Sequence, residues 1–276
     1  MNTALQFLTV SLPCGYLLSA ILHGMAFGGT HAPQVGGVRR WVLRGTLLAH
    51  LASCALRAAI QGDFPVNDTW SVLSAVAFAT AAIYALLALR ARHPGTGGVV
   101  LGVVFVLQLF ASGFGDATPA PRPSTMAAFR VLHIATSVLA GAALILSGVH
   151  GFLYIVLLRV MRKRSFGALF EHLPNLELLA HMTRGAALAG FLGLTVGLNV
   201  GIALAHAEKL PGFDYRAPEV LLSLALWIHF GVVAFSGSIR GFSARRAAIA
   251  ATGGLVALLL SLLLVLFPSH VFHSTL

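Results

Sequence analysis

The chain has 276 residues, 58% of them hydrophobic and 9% charged, with a mean hydropathy of +0.88 and a formal net charge of +10. A soluble globular domain carries about 25% charged residues, so this composition excludes one and predicts an all-α, polytopic integral membrane protein. Walker A, G-x-G-x-x-G, H-E-x-x-H and G-x-S-x-G patterns are missing, and no soluble catalytic module is visible.

A helix crosses the bilayer core with about 20 apolar residues. Eight stretches reach that length, at 4–27, 38–60, 69–91, 97–115, 127–159, 184–206, 218–238 and 246–267. No Lys or Arg precedes Arg39, so the first span lacks the basic start of a cleavable signal and is expected to be retained. Cys14 and Cys54, in the first two spans, make no C-x-x-C or metal-site spacing. They read as small apolar packing residues, with a disulfide between the spans as the lesser alternative. Pro- and Gly-containing connectors follow at 28–37, 93–98 and 115–123, and the fifth span is long enough to tilt or to project beyond the bilayer. The one large polar segment is RVMRKRSFGALFEHLPNLELLAHMTR at 159–184, which reads as a basic helix end, a turn at Pro174 and a short amphipathic helix. Its basic run anchors topology at lipid headgroups; docking of a protein is the alternative. Four spans fall within residues 1–126 and four within 127–276.

Taking the loops alternately, one side receives Arg39, Arg40, Arg44, Arg90, Arg92, Arg159, Arg162, Lys163, Arg164, Arg184, Arg240, Arg245 and Arg246. The other receives only Arg57, Arg122, Arg130, Lys209 and Arg216. The positive-inside rule then predicts both termini outside, with loops 61–68, 116–126, 207–217 and 268–276 on the outer face of a bacterial cytoplasmic membrane. The net charge therefore reads as topology in contact with the lipid bilayer, and no nucleic-acid partner is expected.

Twelve histidines are present, and an imidazole in hydrocarbon is costly unless it is paired or ligating. At about 1.5 Å per helical residue, His133 at the outer start of the fifth span lies about 25 Å from His150, too far to share a site. His206, His270 and His273 join His133 on the outer side. His50 and His229 each lie about 15 Å from their helix starts and form a candidate midplane pair. His23 and His150 lie nearer the inner face, and His31, His93, His172 and His181 are cytoplasmic or interfacial. The plainer reading of any one membrane histidine is a hydrogen bond to Ser, Thr or a backbone carbonyl. Several imidazoles at one level argue for more, because two from different elements can take both axial positions of a haem iron. The same nitrogens suit Cu or Zn.

Several segments carry a resemblance: LHIATSVLAGAALILSGVHGFLYIVLLR from Leu132, LPNLELLAHMTRGAALAGFLGLTVGLNVG from Leu173, RGFSARRAA from Arg240, His273 with Ser274, and FPVNDTWSVLSAVAF at 64–78. Together they resemble the cytochrome c assembly family, which includes the haem-handling CcsA subunit and the smaller HemX and YpjD proteins. The eight-span layout is similar to the HemX/YpjD branch. The resemblance implies a membrane protein of cytochrome c biogenesis that makes or breaks no covalent bond itself, holds b-type haem stably or in passage, and works with an assembly partner protein. It implies axial ligands at His133 and His273, and aromatic cover from the loop before the seventh span. That loop, HAEKLPGFDYRAPEV, contains no tryptophan where the family has a tryptophan-rich motif, leaving Phe213 and Tyr215 as its aromatic faces. A transmembrane histidine expected late in the seventh span is displaced, with Ala234 at that place and His229 earlier, so His50 and His229 become a conditional haem or transit site. Arg57, Arg122 and Arg130 are candidate propionate partners, Arg130 foremost because it lies one turn before His133; a snorkelling anchor is the alternative for it. Two other functions stay open: a HemX-like accessory or regulatory protein of haem biosynthesis, and a metal or small-molecule transporter using the midplane pair.

Overall fold

The computed structural model describes residues 3–25, 33–62, 65–66, 68–90, 94–114, 126–164, 167–208 and 214–266. Those residues contain helices and no strand: α1 (Thr3–Gly24), α2 (Pro33–Gln61), α3 (Thr69–Arg90), α4 (Gly97–Phe114), α5 (Ala127–Arg162), α6 (Ala168–His172), α7 (Leu176–Ala207), α8 (Pro218–Ala234) and α9 (Ala244–Leu266). Six of them, α1, α3, α4, α5, α7 and α9, are long and apolar enough to cross a membrane, and α8 is apolar over its shorter length. The protein is a multi-pass membrane protein. Of the eight expected spans, α2 falls short on apolarity because Arg39, Arg40, Arg44 and Arg57 lie within it.

Two boundaries differ from expectation for local reasons. The amphipathic helix after Pro174 and the sixth span are one helix of 32 residues, started by Asn175, whose side chain accepts from Leu178 N at 2.8 Å. This cap satisfies a backbone donor the helix cannot satisfy itself. The seventh span ends at Ala234 rather than 238, where Phe235 N closes on Gly231 O and the chain turns through Gly241, whose φ of +79° suits a residue without Cβ.

Lipid is as apolar as a leucine side chain, so close packing and polar bonds, rather than water exclusion, hold such helices together. Helix α5 is the central element, with α7, α9 and α3 packed around it. Its contact with α7 depends on glycines: a Cβ at Gly190 would overlap Leu144, and one at Gly193 would lie 3.0 Å from Ala140 Cβ. On the α9 side the same device is reversed, with a Cβ at Gly151 of α5 falling 2.7 Å from Ala248 O. Helices α1, α2, α3 and α4 pack on one another, and α3 joins them to α5.

Candidate functional site

At the N-terminal end of α5, residues from α3, α5, α7, α8 and α9 line a cavity of about 640 Å³, within the range of small-molecule and cofactor sites. Val72, Val76, Leu144, Leu222, Leu226 and Leu258 make most of its wall apolar, and the polar residues are Asp68, Thr69, Arg130, His133, Ser137, Ser223 and Ser261. His133 is half-buried and bonded across to α7, its Nδ1 lying 2.8 Å from Gly197 O. A carbonyl oxygen only accepts, so Nδ1 carries the proton and Nε2 keeps its lone pair. The contact needs glycine on α7, because a Cβ at Gly201 would stand 2.6 Å from His133 Cε1 and one at Gly197 would stand 2.8 Å from Ser137 Oγ. Metal-ligating histidines are held in this way, one ring N–H fixed by a carbonyl and the other nitrogen available.

Arg130, one turn earlier, lines the same cavity. Asp68 lies in the wall as well: its Oδ1 accepts from Trp70 N at 2.8 Å and Ser71 N at 2.9 Å, capping α3, while Oδ2 has no hydrogen-bond partner among the described residues. Of the other proposed propionate partners, Arg57 lies instead beside Trp70, Gln108 and Ser112 around a small polar space, and Arg122 lies outside the described residues. His273 and Phe213 also lie outside them. Tyr215 is described, but on a different face of α7: its hydroxyl sits 3.1 Å from His206 Nδ1, and its ring borders a groove with Thr195, Ile202 and Trp227. It is not brought to His133.

The expected midplane pair is not formed. His50 is buried with both ring nitrogens engaged, Nδ1 at 2.9 Å from Tyr16 Oη and Nε2 at 3.0 Å from Ser74 Oγ. Ser74 Oγ donates to Gln108 Oε1 at 3.0 Å, and Gln108 Nε2 donates to Ser112 Oγ at 3.0 Å, so one polar chain ties α1, α2, α3 and α4 together. His229 donates from Nε2 to Ala250 O at 2.8 Å and fastens α8 to α9, its ring lying over Gly254. The two residues satisfy themselves within different groups of helices, His50 among α1, α2 and α3 and His229 between α8 and α9.

Sequence reading passed over a second pair. His150 is buried, its Nδ1 has no hydrogen-bond partner among the described residues, and it shares with His181 the wall of an apolar groove of about 540 Å³ along α5 and α7. The antiparallel register that sets Ser147 Oγ on Thr183 O at 2.8 Å also brings these two histidines level. Among the described residues, no group of three or more His, Cys, Asp or Glu converges to hold a bare metal ion.

The family model described as "Cytochrome C assembly protein" matches residues 46–273, from within α2 to beyond α9. The chain belongs to the cytochrome c assembly protein family. That membership supports a role in cytochrome c biogenesis, and it covers every element around the His133 cavity. None of the curated proteins is significantly similar to this assembly protein. Haem is the group such a family implies, and the His133 cavity fits it on three counts: an imidazole with one nitrogen tied and one available, a mostly apolar wall, and a guanidinium one turn away.

Proposed function

We propose that this protein is a haem-handling component of cytochrome c biogenesis that holds b-type haem in the outer cavity. The single observation carrying the reading is the bond from His133 Nδ1 to Gly197 O, which orients the imidazole and leaves Nε2 as the axial donor. Arg130 would pair a propionate, the leucine and valine wall would exclude water from the macrocycle, and His273 is the second axial ligand in this reading. Haem held there would supply a redox-active iron; covalent attachment of its macrocycle to an apocytochrome would fall to a partner protein, and this chain would position and protect it. Tyr215 and Phe213 would serve as aromatic cover in place of the missing tryptophans.

In this reading the chain makes eight spans in a bacterial cytoplasmic membrane, with both termini outside, and 1–126 and 127–276 are its two segments. It stands nearest the HemX/YpjD branch. Passage of haem through the membrane would use the His150 and His181 groove rather than His50 and His229, whose nitrogens serve helix packing.

The test is a visible spectrum, oxidised and reduced, of protein purified in mild detergent from haem-replete cells, beside His133→Ala and His273→Ala variants. A Soret band in the parent that is lost or shifted in both variants supports bis-histidine ligation at the outer site. A band that neither variant alters moves haem elsewhere. No band in any of them favours the accessory or regulatory role.

A further inference from the structure

The inner ends of α5 and α9 carry a second built feature, unrelated to the histidines. Between them runs a groove of about 440 Å³ lined by Ile155, Leu158, Ile249 and Val256, with Arg159, Arg162 and Arg245 at its end. The pattern is the same on both helices. Ile155, Leu158, Arg159 and Arg162 follow i, i+3, i+4, i+7 spacing on α5, and Arg245, Ile249, Gly253 and Val256 follow i, i+4, i+8, i+11 on α9. Each is one helical stripe, apolar toward the membrane centre and cationic at the same end. No acidic side chain lines the groove, and none of the three arginines has an ion-pair partner among the described residues. Arg246, the neighbour of Arg245, is different: its Nη1 donates to Gly241 O at 2.8 Å.

We propose that this groove binds an anionic phospholipid, its phosphate held by Arg159, Arg162 and Arg245 and an acyl chain lying between α5 and α9. Charge complementarity selects the headgroup, since a guanidinium fork matches phosphate oxygens, and a choline or ethanolamine cation would meet three like charges. Length selects the chain. Arg245 to Val256 spans about 16 Å at 1.5 Å per residue, close to one leaflet of a hydrocarbon core about 30 Å thick. A free phosphate would leave that apolar length unfilled. Basic pockets between helices on the cytoplasmic side are a known form of headgroup site.

The full chain, delipidated in a neutral detergent, is offered phosphatidylglycerol, phosphatidylcholine of the same chains, or inorganic phosphate, with retention read by native mass spectrometry and stability by thermal melting. Phosphatidylglycerol is expected to be retained at least tenfold better than phosphatidylcholine and to raise the melting temperature, and phosphate alone to do neither. Gly253→Leu is the sharper variant, because a Cβ there meets nothing within 4 Å and the side chain would fill the groove while all three arginines stay. It should lose the retained lipid. Arg245→Gln should lose it too, and Arg246→Gln should keep it, a comparison that does not require removing all three charges. Equal retention of the two lipids, a matching shift with inorganic phosphate, or undiminished phosphatidylglycerol binding by Gly253→Leu would each overturn the proposal.

Discussion

His50 and His133 are the same residue type in the same membrane protein, and their surroundings assign them opposite duties. His50 is enclosed by Tyr16 on α1 and Ser74 on α3, with both nitrogens in hydrogen bonds. His133 has one nitrogen on Gly197 O and sits in the wall of the cavity at the N-terminal end of α5. In hydrocarbon the hydrogen bonds of a polar side chain must be found within the protein. A histidine that has found two partners is a fastener, and one that has found a single partner retains the capacity to bind something else. Engaged nitrogens therefore distinguish these two where depth in the membrane does not, and place completes the distinction: His229 also has one bonded nitrogen, but its ring is packed against Gly254 and Phe230 rather than set in a cavity wall.

The comparison breaks most sharply at His133. Replacing it with alanine should lower haem affinity by more than about 100-fold, since loss of a ligand exceeds the roughly 10–100-fold typical of losing only a partner that orients one; titration of the detergent-purified protein with haem reads this. His50→Phe should do the converse. It takes the His50 partner from the buried Tyr16 hydroxyl, at about 1–3 kcal/mol for an unsatisfied buried group, while Ser74 keeps its bond to Gln108; thermal stability should fall clearly and the haem spectrum stay as in the parent. A spectrum altered by His50→Phe and untouched by His133→Ala would invert the assignment.

Gly201→Ala sharpens it. The new methyl would press on His133 Cε1 and turn the ring away from Gly197 O, so haem affinity should fall about tenfold, the lower end of orienting-partner effects, with little change in melting. Asn175→Ala removes the cap of α7 and should cost about 1 kcal/mol of stability with haem binding unchanged. The smallest effect expected is that of Trp227→Phe. It gives up the 2.8 Å bond to Thr195 Oγ1 but keeps the stack on Phe191, a loss of about 0.6 kcal/mol by the average of such bonds in membranes.

Apart from the start of α7, which lies at Leu176 rather than 184, sequence reading located the apolar helices to within about five residues, because a lipid-facing helix must be continuous in hydropathy. It also chose His133 and Arg130 as neighbours, because residues three apart share a helix face. It joined His50 to His229 wrongly and overlooked His150 with His181. Both errors have one origin: in these helices the lipid-facing side is as apolar as the packed side, as exposed Trp41, Leu89 and Leu260 show, so the sequence carries little azimuthal signal. The cue that was available lies in glycine spacing. Gly190, Gly193, Gly197 and Gly201 mark the face of α7 that meets α5, and following them leads to His133. Asp68, in a D-T-W-S start typical of a helix cap, was legible as a cap but not as part of a cavity wall, since only the fold sets α3 beside α8 and α9 there.

The length of α5 has one more consequence. Its 36 residues make a rod of about 54 Å, longer than the 40–45 Å of a bilayer with its headgroup regions. Arg130 and His133 ride on one end of it, and Arg159 and Arg162 on the other. A helix longer than the bilayer accommodates the mismatch by tilting, kinking or thickening the lipid around it, and α5 lines both the His133 cavity and the Arg159 groove. A change of bilayer thickness would therefore reach both ends together, through a single unbroken helix.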